Sequence, residues 1–149
     1  MKMLVCTDGS KQSLKAIDAA AVIAAGCNIH EVSIVHVYEN TLILPFWGEV
    51  YHVSKEDSER FMELEEREKE KRKEVLSEAE KLFNQKNIKV KKIFKEGHPA
   101  LTIAKTAAEE GAELVVIGSR GLGGLKKLIL GSVSNAVMQE VKCNVLIVK

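Results

Sequence analysis

Short apolar runs alternate with longer stretches that keep a helical rhythm along this chain. "KMLVCT" (2–7) is a β-rich run that stops at Asp8-Gly9-Ser10. Leu14, Ile17, Ala21 and Ala25 then recur every three or four residues, which predicts a helix capped by Ser10 and stopped by Gly26. "EVSIVHVY" (31–38) reads as a second strand, apolar enough to be buried on both faces. Residues 39–53 fit neither period and read as an apolar loop holding Pro45, Phe46, Trp47, Gly48 and Tyr51, either a binding surface or a loop tucked into the core.

A charged helix over roughly 55–85 follows, with "EEREKEKRKE" (65–74) free of apolar residues. Glu65 with Lys69, and Glu68 with Arg72, are spaced four apart and support an exposed helix. Leu76, Ala79, Leu82 and Phe83 restore a core-facing stripe near its end. "IKVKKIF" (88–94) is a lysine-laced third strand, placed near a sheet edge by those charges. Pro99 opens a third helix that ends at Gly111, with Leu101, Ile103, Ala104 and Ala107 as its inner stripe. "ELVVIG" (113–118) is the fourth strand, a helix runs from about Ser132 to Val141, and "CNVLIVK" (143–149) is the fifth strand. Strands that alternate with helices predict an α/β domain whose mostly parallel sheet is covered on both faces.

Composition narrows the possible functions. One domain suits 149 residues. With 46% apolar and 29% charged residues, the balance is that of an ordinary globular protein. No apolar run approaches the roughly 18 residues of a membrane span, and the apolar run before Asp8 is too short for a signal-peptide core. The chain therefore reads as cytoplasmic, without a membrane partner. A net charge of +1 gives no global field for nucleic acid. The lysines at 86, 89, 91, 92 and 95 read as guards of an edge strand. Cys6, Cys27 and Cys143 lack metal spacing and read as reduced, small buried hydrophobes. His36, inside an apolar strand, reads as a satisfied core histidine, and His98 as part of a turn. No Ser-His-Asp set, HExxH motif or paired carboxylate stands out, so no catalytic residue is assigned.

The chemistry concentrates in "GSRGLGGLKKLILGS" (118–132), which holds five glycines. Gly118, Gly121 and Gly131 are spaced by two and nine residues, and Ser132 follows. This is neither the Walker pattern nor a clean GxGxxG. Ser132-Val133-Ser134 opens a helix whose first N–H groups are unpaired and whose dipole is positive there, a good phosphate seat. By spacing alone, a turn with Ser132 or Ser134 as an ordinary N-cap fits equally well. Arg120, between two of these glycines, either clamps a phosphate or is a solvated loop residue. Lys126 and Lys127 read as solvated.

This stretch resembles the universal stress protein family, in its ATP-binding branch, whose motif is Gly, two residues, Gly, nine residues, Gly, then Ser or Thr. Gly118, Gly121, Gly131 and Ser132 meet it; "LVCTDGS" and "GHPALTIAKTAAEEGAELVVIG" are similar to the family's first-strand and Gly-x-Pro segments. The likeness spans the chain apart from about 42–74. The fold that goes with it is a single Rossmann-like domain, an open five-stranded parallel sheet in the order 3-2-1-4-5 with helices on both faces. The resemblance implies an ATP site. Cys6 and Thr7 would line the nucleoside pocket. Asp8 would meet the ribose, or water and metal near the phosphates. Val37 would pair its backbone with the adenine edge. Ile117 and Gly118 would flank the ribose and phosphates, and Gly121, Gly131, Ser132, Val133 and Ser134 would hold the triphosphate. Magnesium would ride on the phosphates with few protein ligands. Cys6 and Asn144 depart from the family's usual residues, touching only pocket shape and the last strand. The resemblance also implies a homodimer through the C-terminal strand. The expected function is a nucleotide-occupancy switch in the stress response, with slow or no hydrolysis and an unidentified regulatory partner. The alternatives are a weak ATPase or adenylyl-transfer enzyme, or a partner-binding module that needs no nucleotide.

Overall fold

The computed structural model describes residues 1–39, 55–122 and 130–149, apart from the side chains of 55–59, 61 and 65. The expected loop with Phe46, Trp47 and Tyr51, and the pair Lys126 and Lys127, lie outside the described residues. The elements run β1 (Met3–Cys6), α1 (Lys11–Gly26), β2 (Glu31–Tyr38), α2 (Lys55–Asn84), β3 (Lys89–Glu96), α3 (Pro99–Glu110), β4 (Leu114–Gly118), α4 (Ser132–Glu140) and β5 (Asn144–Val148). All five strands pair in parallel, in the order β3-β2-β1-β4-β5, as the resemblance implies.

Each face of the sheet has its own core. Against α1 and α2 lie Met3, Val5, Ile34 and Val116, packed on Ala16, Ile17, Ala20, Leu76, Ala79 and Phe83. Against α3 and α4 lie Leu4, Cys6, Val35, Val115 and Ile117, packed on Ile103, Ala107 and Val137. Alternation along β1 makes the division: Met3 and Val5 face one way, Leu4 and Cys6 the other.

Ser10 caps α1 by accepting from the Ser13 N–H, Pro99 stands in the first turn of α3, and Gly111 ends α3 in the left-handed region (φ 63°). Several expectations fail, for identifiable reasons. The buried stripe of α1 is Ser13, Ala16, Ile17, Ala20, Ala21 and Ala24, so Ala25 is exposed. Gly26 is still helical, and the left-handed residue that follows is Asn28 (φ 54°). In α3 the inner stripe is Ala100, Ile103, Thr106 and Ala107; Leu101 is 57% exposed and Ala104 only half-buried. Among the cysteines only Cys6 is buried, and Cys27 is exposed. Among the described side chains of α2 the ion pairs are spaced three apart: Lys71 bonds Glu68, and Arg72 instead lies over the Tyr38 ring, while the expected pair of Glu65 with Lys69 lies outside the described side chains.

The lysines of β3 do guard an edge. Lys92 pairs with Glu80 of α2, while Lys91 and Lys95 pair with Glu110 and Glu109 of α3. Side chains from the edge strand are thus tied to helices on both faces. Individually such exposed pairs stabilise by only about 0–1 kcal/mol.

Candidate functional site

The strand order reverses between β1 and β4, so the chains leaving these two neighbours diverge to opposite faces and leave a crevice at their carboxyl ends. Both glycine-bearing loops named from sequence emerge there, and hydrogen bonds join them. The Asp8 carboxylate accepts the Ser10 N–H through Oδ1 (2.9 Å) and the Leu122 N–H through Oδ2 (3.1 Å). The Ser10 hydroxyl reaches the Arg120 carbonyl at 3.5 Å. Gly121 is required by this closeness, because a Cβ there would collide with the Asp8 carboxylate.

Gly118 serves the same crevice from beneath. A Cβ there would lie 2.8 Å from the Gln12 carbonyl carbon and 2.9 Å from the Ser13 nitrogen, so the first turn of α1 packs directly on β4. Gly131 differs. Its backbone is extended (φ −71°, ψ 159°), and a Cβ would meet Arg120 Cα and Ser119 O at 3.4 Å. Conformational freedom is not what glycine supplies at 131; an uncovered backbone is.

The base of the loop from β4 to α4 is pinned at one carbonyl. Ser119 O accepts the Gly131 N–H (2.7 Å) and the Ser134 hydroxyl (3.0 Å), while the Ser119 N–H continues the sheet to Val148 O. The Ser134 hydroxyl also lies 3.0 Å from Gly131 O and is buried. It therefore serves the loop, and Ser134 offers its main-chain N–H to the crevice. The N-cap of α4 is Gly131, not Ser132 or Ser134, and no side chain caps it. The first intrahelical bond runs from Asn135 N–H to Gly131 O, which leaves the N–H groups of Ser132, Val133 and Ser134 without helical partners. No acidic residue occupies that first turn. Arg120 adds a second donor: its Nε is buried and has no partner among the described residues.

These groups border a cavity of about 720 Å³. Around it stand all twelve residues singled out from sequence: Cys6, Thr7, Asp8, Val37, Ile117, Gly118, Arg120, Gly121, Gly131, Ser132, Val133 and Ser134. Sequence reading missed Ser13, Val35, Pro99, Ile103, Leu122, Leu130 and Asn135. Pro99 and Ile103 come from α3, which covers the face opposite α1 and approaches the crevice from a remote part of the chain. Only the sheet order reveals that. The wall is divided by chemistry. Val35, Val37, Cys6, Ile103 and Ile117 make an apolar half; Asp8, Arg120 and the α4 N-terminus make a polar one. Thr7 is turned toward α1, its Oγ1 3.1 Å from Ser13 Oγ. Burial pushes the Cys6 thiol up to about 12, so it acts as an uncharged wall.

β2 outruns β1 at this rim. Its last pair with β1 is Val35 opposite Cys6, whereas it stays paired with β3 through Tyr38. The Val37 main chain therefore stands at the mouth, beyond the end of its β1 neighbour.

Residues 1–149 match the family described as "Universal stress protein family". The chain belongs to the universal stress protein family. It is 38% identical over 151 residues to universal stress protein YxiE of Bacillus subtilis (strain 168), covering 99% of this chain and 98% of that one. The fold is similar to universal stress protein UspA from Lactobacillus plantarum, with a TM-score of 0.81 at 20% identity over 100% and 97% of the two chains. It is also similar to a universal stress protein in complex with cAMP, with a TM-score of 0.68 at 27% identity over 100% and 96%. Among the described residues of this universal stress protein no helix is long and apolar enough to cross a membrane, and no cluster of His, Cys, Asp and Glu is shaped to hold a metal ion.

Proposed function

We propose that this universal stress protein is a regulatory protein that binds ATP in the crevice between β1 and β4, with occupancy as its signal and little or no turnover. The supporting observation is the divided cavity. An apolar slot ends at the Val37 main chain, and the other end is lined by three helical N–H groups and by Arg120, whose Nε is buried with no partner among the described residues. A flat base with a hydrogen-bonding edge suits the first half, and a polyphosphate suits the second. Val37 would pair with the adenine edge, and Asp8 would receive the ribose hydroxyls. The N–H groups of Ser132, Val133 and Ser134 and the Arg120 side chain would hold the phosphates, with Gly131 leaving their approach open. Magnesium would travel on phosphate and water oxygens, with no side chain needed as its ligand. A relative with cAMP in its structure supports the adenine end of this reading.

Slow chemistry follows from the lining. Its charged side chains among the described residues are Asp8 and Arg120, and both Asp8 oxygens already accept N–H groups. Among the described residues no group is poised to orient a water for attack. We also propose that two copies pair through β5, the edge without guarding lysines.

Denaturing freshly purified protein and identifying the released nucleotide tests the reading, followed by phosphate release over hours. ATP near one equivalent, with negligible turnover, is expected. An empty protein that shows no thermal shift with added Mg-ATP would end the proposal, and many turnovers would replace the switch with an enzyme.

A further inference from the structure

The long charged helix α2 reaches the turn from which the crevice hangs. Its carboxyl end lies beside the start of β3, where the Ile88 N–H donates to Phe83 O (3.1 Å). Earlier in the helix, the Arg72 guanidinium lies 5.0 Å from the ring centre of Tyr38, the last residue of β2. α2 therefore runs against the strands, and its amino-terminal part points toward their carboxyl ends, the rim that carries the crevice. From Arg60 to Glu74 none of the described side chains is buried, and Leu76 is the first that is. Between the exposed part and the buried part stands Val75, half-buried.

Val75 closes on Gly9. A Cβ at Gly9 would stand 3.1 Å and 3.6 Å from the two γ-carbons of Val75, so these methyls occupy the space over the turn that a side chain would need. Gly9 is also in the left-handed region, at φ 79°. Its N–H donates to Thr7 Oγ1 (3.3 Å). Asp8, the residue before it, accepts the Ser10 N–H at 2.9 Å and the Leu122 N–H at 3.1 Å. The turn Asp8-Gly9-Ser10 is thus a joint of three parts. α2 backs it through Val75, α1 starts from its Ser10 cap, and the loop after β4 is held on its carboxylate. Asp8 and Leu122 line the cavity, while Gly9 and Val75 stand behind that lining.

We propose that Val75 is a positioning residue for the nucleotide crevice: its methyls press on Gly9 and so hold the Asp8 carboxylate where it binds the Leu122 N–H, which makes nucleotide affinity depend on how α2 is seated. This rests on reading the cavity as an adenine-nucleotide site. A glycine has wide backbone freedom unless something stands against it, and Val75 is what stands against Gly9. Close-packed groups pass a displacement on instead of absorbing it. A shift of α2 therefore reaches Asp8 through one residue, and reaches the start of the glycine loop through the bond to Leu122. The dependence is reciprocal. Whatever seats α2 more firmly on Gly9 tightens nucleotide binding, and bound nucleotide seats α2. The charged part of the helix gains a use in this arrangement. Its ion pairs, such as Lys71 with Glu68 and Lys73 with Glu70, stiffen a rod that carries movement at the joint out to an exposed surface.

The test measures Mg-ATP affinity and urea stability of the full chain and three variants. Val75→Ala removes the methyls that face Gly9. Val75→Thr keeps the branched shape. Ala79→Gly loosens the same helix one turn along, at a buried position out of contact with Gly9. Val75→Ala is expected to bind Mg-ATP roughly fivefold more weakly than wild type, and Val75→Thr within about twofold of it. Ala79→Gly should be less stable than wild type and bind equally well. Full affinity in folded Val75→Ala, an equal loss in Ala79→Gly, or a Val75→Thr no better than Val75→Ala would overturn the proposal. Should Val75→Ala fail to fold, NMR of the wild type decides: the Val75 methyls must move with the Gly9 and Leu122 amides at one midpoint as Mg-ATP is added. Methyls that stay in place reject the positioning role. Hydrogen exchange without nucleotide keeps the two readings apart. The Leu122 amide should exchange faster in Val75→Ala than in wild type or Ala79→Gly, and unchanged exchange rejects the role. Faster exchange in a protein that binds no Mg-ATP retains the role and rejects the nucleotide reading instead.

Discussion

The two faces of the sheet are built from the same kinds of residue and do different work. Against α1 and α2 the space is filled, with four alanines of α1 letting the helix lie close and Phe83 of α2 fully buried. Against α3 and α4 the apolar residues continue past the end of the core and become a wall. Val35, Cys6, Ile103 and Ile117 belong at once to the packed cluster and to the cavity. Helix length separates the faces. α1 has 16 residues and begins five positions after β1, whereas α4 has only 9 and begins well after β4 ends in the chain, with a loop between them. A filled face gives stability, and an unfilled one leaves room for a ligand.

Substitutions can break this division, and the largest effect belongs to the filled face. Phe83→Ala removes a completely buried ring and should cost about 3–5 kcal/mol in denaturant unfolding. Mg-ATP affinity of the protein that remains folded should be unchanged; a matching loss of affinity would show that the faces are not independent. The reverse separation is expected at Gly131, where a Cβ finds only marginal contacts. Gly131→Val should lower Mg-ATP affinity more than tenfold, or about 1.4 kcal/mol, while the melting temperature moves little. Normal affinity in that variant would mean the phosphates lie elsewhere. The smallest effect concerns Cys6, the thiol on the cavity side. With its pKa near 12 it carries almost no thiolate at pH 8, so a thiol reagent should label exposed Cys27 first and Cys6 only on unfolding. Rapid labelling of Cys6 would show that the apolar wall admits water.

The strands, helix starts and glycine spacing were legible because period and capping chemistry are local. The helix faces were less so. In α1 and α3 the inner stripes include Ser13 and Thr106, whose hydroxyls are satisfied by Ser10 O and Thr102 O. A polar residue that satisfies itself within its own helix can face the core, and the helix then turns a larger residue such as Leu101 outward. Pattern reading weighs side-chain size and so rotates the helix the wrong way. For the crevice, the glycines and polar residues of the two glycine-bearing loops could be named, because loop chemistry is written next to them, whereas their apolar neighbours Leu122 and Leu130 could not. Pro99 and Ile103 could not, since α3 reaches the rim only through the folded order of the strands. His36 was misjudged for a related reason. Its Nδ1 is buried without a partner among the described residues, and no spacing along the chain records that.

The lysines of β3 bear on a matter of numbers. A ribbon of strands lengthens wherever a border row of N–H and C=O groups is open to another chain, and here one border is fenced by charges roped to helices on either side. Growth is left with a single direction, at β5. In the proposed pairing two chains would meet there and use up the free border of both, and the count would stop at two.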